Sequence, residues 1–149
     1  MKKILIAFVM AITAVAASAT EVGVTVNRDF AGDNRNGAGI TIGQKYANGV
    51  SVTGAFERTE VGEYQNRYSV TSGYALAKLG LVTVGPRLGV AYLDNASSSN
   101  GYALLVGVGA ELPLTNAVSV TAEFGRQVGQ DRIQQFDGNR FTTGVKYSF

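Results

Sequence analysis

The sequence predicts an all-β protein, an eight-stranded antiparallel up-and-down transmembrane β-barrel. Three observations predict it. Apolar and polar residues alternate with period two along nearly the whole chain beyond residue 19, the signature of strands with one apolar face. The alternating runs are about ten residues long, enough to cross a bilayer at a tilt. The connections between them alternate between short and long.

The first run sets Val22, Val24, Val26 and Phe30 against Glu21, Gly23, Thr25 and Asn27. The second sets Ala38, Ile40, Ile42 and Tyr46 against Gly39, Thr41, Gly43 and Lys45. The third has Val50, Val52 and Phe56 against Ser51, Thr53, Ala55 and Glu57, and the fourth Tyr68, Val70, Tyr74 and Leu76 against Arg67, Ser69, Thr71 and Gly73. The fifth sets Val82, Val84, Leu88, Val90 and Tyr92 against Thr83, Gly85, Arg87 and Gly89. Pro86 falls within it and removes a ladder donor, so a bulge is expected there. The sixth has Tyr102, Leu104, Val106, Val108 and Leu112 against Ala103, Leu105, Gly107, Gly109 and Glu111. The seventh has Val118, Val120, Ala122 and Phe124 against Ser119, Thr121 and Glu123. The eighth has Phe141, Thr143, Val145, Tyr147 and Phe149 against Thr142, Gly144, Lys146 and Ser148.

Residues 47–49, 77–80 and 113–116 make short turns, and Asn48-Gly49 is the preferred pair for a tight hairpin because both central residues need positive φ. The connections at 31–36, 58–66, 93–100 and 126–139 are longer and polar. Short turns at one end and long loops at the other match the outer-membrane pattern, with both termini at the short-turn, periplasmic end.

A soluble secreted barrel carrier would also alternate, with its apolar face turned inward around a ligand. Two features favour the opposite orientation. Phe30, Phe56, Tyr68, Tyr92, Tyr102, Phe124 and Phe141 sit on the apolar face next to the long loops, and Tyr46, Tyr74, Tyr147 and Phe149 sit near the other end. Two aromatic girdles around an aliphatic band are what membrane interfaces select. The opposite face holds most of the strand glycines together with Glu21, Glu57, Glu111, Glu123, Lys45, Arg67, Arg87 and Lys146. That balance of acids and bases predicts a lumen packed with an ion-pair network, because eight strands enclose a space that side chains nearly fill. A narrow porin-like pore for small solutes or ions is the alternative. Arg28 has outward parity beside Phe30, where it either snorkels to headgroups or marks an earlier strand end.

Lys2 and Lys3, the apolar run from Ile4 to Ala16 and the small residues Ala17-Ser18-Ala19 read as a cleavable secretory signal peptide over 1–19, leaving one domain over 20–149. Without Lys2 and Lys3, the chain's thirteen basic residues become eleven and match its eleven acids, so nucleic acid is not an indicated partner. There are no cysteines and no histidines, which removes the usual general base and the usual soft metal ligands. Asp131 and Asp137 lack calcium-loop spacing. The reading is therefore no enzyme, no cofactor and no metal.

The alternating strands, the loop order and the ending Tyr147-Ser148-Phe149 resemble the small outer-membrane barrels of the OmpX, NspA and OmpA transmembrane-domain type. The resemblance implies a monomer in the outer membrane of a Gram-negative bacterium. It also implies that Tyr147 and Phe149 are read by the outer-membrane assembly machinery. The remaining candidates are loop residues: Arg58, Tyr64, Arg126, Arg132 and Phe136. They are expected to contact lipopolysaccharide phosphates, through the arginines, or a host or surface ligand. The function so read is structural or surface-interacting, in adhesion or envelope integrity.

Overall fold

The computed structural model describes residues 19–30, 34–61, 63–95, 100–129 and 137–149. Among the described residues nine strands form: β1 Ala19–Asp29, β2 Arg35–Lys45, β3 Val50–Val61, β4 Glu63–Tyr74, β5 Ala77–Leu79, β6 Val82–Asn95, β7 Gly101–Pro113, β8 Val118–Gly129 and β9 Gly138–Ser148. Eight of them make an antiparallel up-and-down barrel. Sequential neighbours pair, β9 returns to β1, and β4 pairs with β6 to complete the wall. The three-residue β5 carries on the line of β4 and pairs with β6 alone. Of the signal peptide expected over 1–19, residues 1–18 lie outside the described residues, and Ala19 already opens β1 opposite Lys45.

The register fixes the geometry. Stepping from partner to partner, Ala19 leads through Lys45, Ser51, Gly73, Arg87, Gly107, Gly125 and Arg140 back to β1 at Asp29, ten residues along. A displacement of that size over eight strands corresponds to a tilt of about 40°, inside the range of closed barrels. Every residue of the row after Ala19 has inward parity.

The strands run further than the hydrophobic pattern does. β3 continues to Val61 and β4 starts at Glu63, so the stretch expected as a loop at 58–66 is nearly all strand. β6 runs to Asn95 and β8 to Gly129, shortening the loops expected at 93–100 and 126–139. The cause is that pairing in a closed sheet satisfies backbone groups whether the outward residue is apolar or polar. The pattern of apolar residues marks only the part of each strand that carries the apolar band.

The bulge expected at Pro86 lies in the neighbouring strand. Pro86 keeps regular register with Val108 on β7. On its other side the ladder lapses between Gly73↔Arg87 and Ala77↔Val84, with one extra residue on the β4–β5 side. The Leu76 N–H donates to the Val84 carbonyl at 3.0 Å, so Val84 and, two residues on, Pro86 present their backbone groups to that lapse. The proline thus sits where no donor is needed. At the short-turn end Gly49 (φ 84°) and Gly80 (φ 63°) take the left-handed conformation, and the Val50 N–H donates to Asn48 Oδ1 at 3.1 Å.

Candidate functional site: the lumen and the outer wall

Burial alternates along the strands, and the buried side is the inside of the barrel. Its buried residues are mostly polar: Glu21, Thr25, Asn27, Asp29, Glu57, Thr59, Gln65, Arg67, Ser119, Thr121 and Lys146 among them. Among the described residues, the ion pairs within it fall into four groups. Near the long-loop end, Arg67 Nη2 lies 2.9 Å from Asp29 Oδ2 and Arg67 Nη1 lies 3.6 Å from Glu57 Oε2. Arg140 bridges the same two acids, reaching Glu57 Oε1 and, at 3.5 Å, Asp29 Oδ1. The Asn27 amide donates to Glu57 at 3.2 Å and Arg140 Nε to Thr142 Oγ1 at 3.0 Å. In mid-lumen, Arg87 pairs with Glu123 at 3.5 Å and donates to Ser51 at 2.7 Å. Towards the short turns, Lys45 meets Glu111 at 2.9 Å and Lys146 meets Glu21 at 3.4 Å.

All eight charged residues singled out in the sequence therefore point into the lumen, each within 4 Å of an opposite charge. Asp29 and Arg140 join them. Both share the inward parity of Asn27 and Thr142, and carrying the alternation one more step beyond those residues would have found them. They were missed because the first run was read only to Phe30 on its apolar side and the last only from Phe141.

Glycine makes the room. A Cβ on Gly73 would lie 2.0 Å from Arg87 Nη1, and one on Gly109 would lie 2.6 Å from Arg87 Nε. The guanidinium lies over bare backbone on both neighbouring strands. A cavity of about 60 Å³ beside it is lined by Thr71, Arg87, Gly107, Glu123, Gly125 and Thr142.

The lumen is not polar throughout. Ala91, Leu93 and Ala103 are buried together with Leu105 against them, and Leu93 stands directly opposite Arg67. An apolar wall therefore backs the charge cluster at the long-loop end.

The outer wall is the reverse. Val24, Ile40 and Val108 are each about 60% exposed, flanked by further exposed Val, Ile and Leu. The aromatic residues singled out in the sequence point outward, and cross-strand neighbours touch: Phe56 with Tyr68 (ring centroids 5.1 Å) and Tyr92 with Tyr102 (5.2 Å). Tyr147 and Phe149 meet edge-on at 5.0 Å near the short turns.

Of the residues expected in loops, Arg58 and Arg126 lie in β3 and β8 and project from the outer wall, two residues beyond Phe56 and Phe124. Tyr64 lies in β4, with its side chain outside the described part, and Arg132 and Phe136 lie outside the described residues. Arg28 stays within β1, faces outward and stacks over the Phe30 ring at 5.7 Å. Among the described residues no three His, Cys, Asp or Glu side chains gather as a metal site would require.

A closed eight-stranded antiparallel barrel with an apolar girdled wall and a charge-packed lumen is the architecture of the small outer-membrane barrels. The chain shares it with the N-terminal barrel domain of Pseudomonas aeruginosa OprF (TM-score 0.71, 18% identity, covering 89% of this chain and 98% of that one). It is likewise similar to Neisserial surface protein A (0.62, 14%, 88% and 96%) and to Ail, the attachment invasion locus protein of Yersinia pestis (0.58, 17%, 91% and 100%). No family model and no curated protein sequence matches the chain.

Proposed function

We propose that this chain spans the outer membrane of a Gram-negative bacterium as a monomeric barrel, exported through residues 1–19, and serves a structural or surface-interaction role at its long-loop end. The observation that carries the reading is the sorting of side chains. Apolar groups line the outside between two aromatic belts, while the inside is charged and paired. In water such a wall would be an apolar patch far beyond what soluble monomers expose. In lipid it is the required surface, and a closed barrel is one of the two structures that satisfy their backbone there. The lack of histidine supports a non-enzymatic role. Ail has been seen in complex with the heparin analogue sucrose octasulfate, which supports a surface ligand of similar charge for this chain. Tyr147 and Phe149, in edge-on contact at the wall's lower edge, would be the pair read by the assembly machinery.

The cysteine-free chain offers a direct test. In intact cells a membrane-impermeant maleimide should label Asn100→Cys, at the long-loop end, and leave Asn48→Cys untouched. Equal labelling of both, or migration on a denaturing gel that does not depend on heating, would sink the reading. The cavity beside Arg87 and Glu123 favours a second reading, a narrow pore. Planar-bilayer recording decides it: absent conductance, or conductance unchanged by replacing Arg87 and Glu111, removes the pore.

A further inference from the structure

We infer that the short hairpin of β5 and the start of β6 is a docking site for an extended segment of a periplasmic protein, which adds to the open side of β5 as a further strand. The inference rests on the outer-membrane reading above for the side on which the partner lies, and adds a place and a partner class to it.

The turns at the short-turn end are not alike. Asn48-Gly49 and Thr115-Asn116 bring polar residues to the tips of two of them. The turn between β5 and β6 is Gly80-Leu81, with a leucine at the tip. Tight turns call for glycine, asparagine or aspartate, and Gly80 supplies the positive φ here. Turn chemistry therefore does not account for Leu81. Leu76 at the ladder lapse, Leu79 at the end of β5 and Leu81 are 66–70% exposed.

The hairpin also hangs low. Ten residues of displacement over eight strands mean that points at equal height drift by about one and a quarter residues per strand. With that drift applied to the register, Leu79 lies about three residues below Tyr147 and about one below Phe149. The tip thus passes the lower aromatic girdle.

One side of β5 is open. The β3–β4 ladder ends at Val50↔Tyr74, and the Ala75 N–H donates to the Gly49 carbonyl at 2.9 Å. There the chain turns back into β2, and among the described residues β5 pairs with β6 alone. In an antiparallel ladder every second residue directs its N–H and C=O away from its partner, so the open side of β5 offers both to a further strand.

The leucines and the open edge make opposite demands. Hydrocarbon suits the leucines but excludes an unpaired strand edge. Water suits the edge, but a cluster of exposed leucines marks a contact surface. An added strand meets both demands, since main-chain bonds hold it and alternate side chains select it. On one face Ala77 and Leu79 share the outward parity of Val84 and Val82, which calls for apolar residues in the partner. On the other face Lys78 stands opposite Thr83 and has no ion-pair partner among the described residues; Glu111 beyond it is held by Lys45 at 2.9 Å. A carboxylate in the partner would answer Lys78. A second barrel cannot reach this edge, because Gly49 of the neighbouring turn packs beside Ala75 at its upper end. Only an extended chain passes beneath that turn.

The chain has no tryptophan, so Leu81→Trp gives the folded full barrel a single reporter. In lipid nanodiscs, lipids with brominated chains should quench it several-fold less than Leu88→Trp in the aliphatic band. The probe is a short peptide alternating valine and threonine, with one threonine replaced by glutamate. It should shift the Leu81→Trp emission to the blue and saturate. A copy methylated on alternate backbone nitrogens should bind about tenfold or more weakly, given what hydrogen bonds contribute. In Lys78→Glu the preference should reverse by about threefold towards a copy carrying lysine in place of glutamate, the scale of an exposed ion pair. Quenching of Leu81→Trp equal to that of Leu88→Trp would mean that lipid covers the hairpin, and overturns the inference. Binding that backbone methylation leaves unchanged overturns strand addition, and indifference to Lys78→Glu overturns the acidic partner. A heat-modifiable barrel that binds no peptide overturns the inference and leaves the membrane reading intact, whereas a chain that forms no heat-modifiable barrel overturns both.

Discussion

Glu57 and Arg67 are direct cross-strand partners in β3 and β4, and their side chains meet inside the barrel with Arg67 Nη1 3.6 Å from Glu57 Oε2. Asp29 and Arg140 close the group into two acids and two bases, with Arg67 only 2% exposed. Such a group is stable as a whole and costly in part. Removing one member strands an uncompensated charge in a medium that solvates it badly. Arg67→Met should therefore destabilise the barrel by about 3–5 kcal/mol in urea unfolding from lipid vesicles. Glu57→Gln in the same chain should recover part of that loss, since it restores neutrality. A double variant as unstable as the sum of the singles would mean that the pair is not energetically coupled.

The inward glycines are not equivalent. At Gly73 an added Cβ meets the far end of Arg87, which can swing aside. At Gly85 it would lie 1.7 Å from the Tyr74 carbonyl oxygen, in the backbone of the neighbouring strand at the ladder lapse. Backbone there cannot retreat without disturbing β4. Gly85→Ala should accordingly cost about 1–3 kcal/mol, the range of overpacked sites, and Gly73→Ala clearly less. The same unfolding measurement ranks them, and the reverse order would show that the lapse is compliant and the guanidinium is not.

The outer wall should tolerate arginine by depth. Leu88 lies in the aliphatic band and is 57% exposed. Arg126 is native at the edge of that band. Leu88→Arg should cost about 2–4 kcal/mol in a bilayer, whereas moving a cation to the boundary costs about 0–1 kcal/mol. Refolding yields into vesicles of equal lipid composition would show the difference. An unaffected Leu88→Arg would mean that this face does not meet hydrocarbon.

The fold was legible because period-two alternation is local and a barrel imposes it on every strand. The inward charges followed at once: once Val22, Val24 and Val26 face out, Glu21 must face in, and Lys146 opposite Gly23 must do the same. Partners were not legible. Which acid meets which base depends on the register around the whole barrel, and Lys45 with Glu111 are 66 residues apart in the chain. Strand ends were misread for a different reason. Arg58 and Arg126 looked like loop residues because the apolar signal stops before hydrogen bonding does. The Pro86 bulge was placed in the wrong strand because a missing donor shows where pairing fails but not which side supplies the extra residue.

Leu93 was the least visible residue of all, since an apolar side chain with inward parity looks like the end of a strand. In the barrel it is fully buried and stands opposite Arg67. Packed with Ala91, Ala103 and Leu105, it keeps water from one flank of the charge cluster and holds the local dielectric down. Leu93→Ala should therefore act twice. The lost packing should cost about 2–5 kcal/mol, as for other leucine truncations. Water entering the gap should also solvate the charges that Arg67→Met leaves unpaired. The two substitutions together should then be less damaging than their sum by about 0.5 kcal/mol or more, the size of coupling seen between residues in contact. Strict additivity in the double-variant cycle would show that the apolar wall and the ion pairs stabilise the lumen independently.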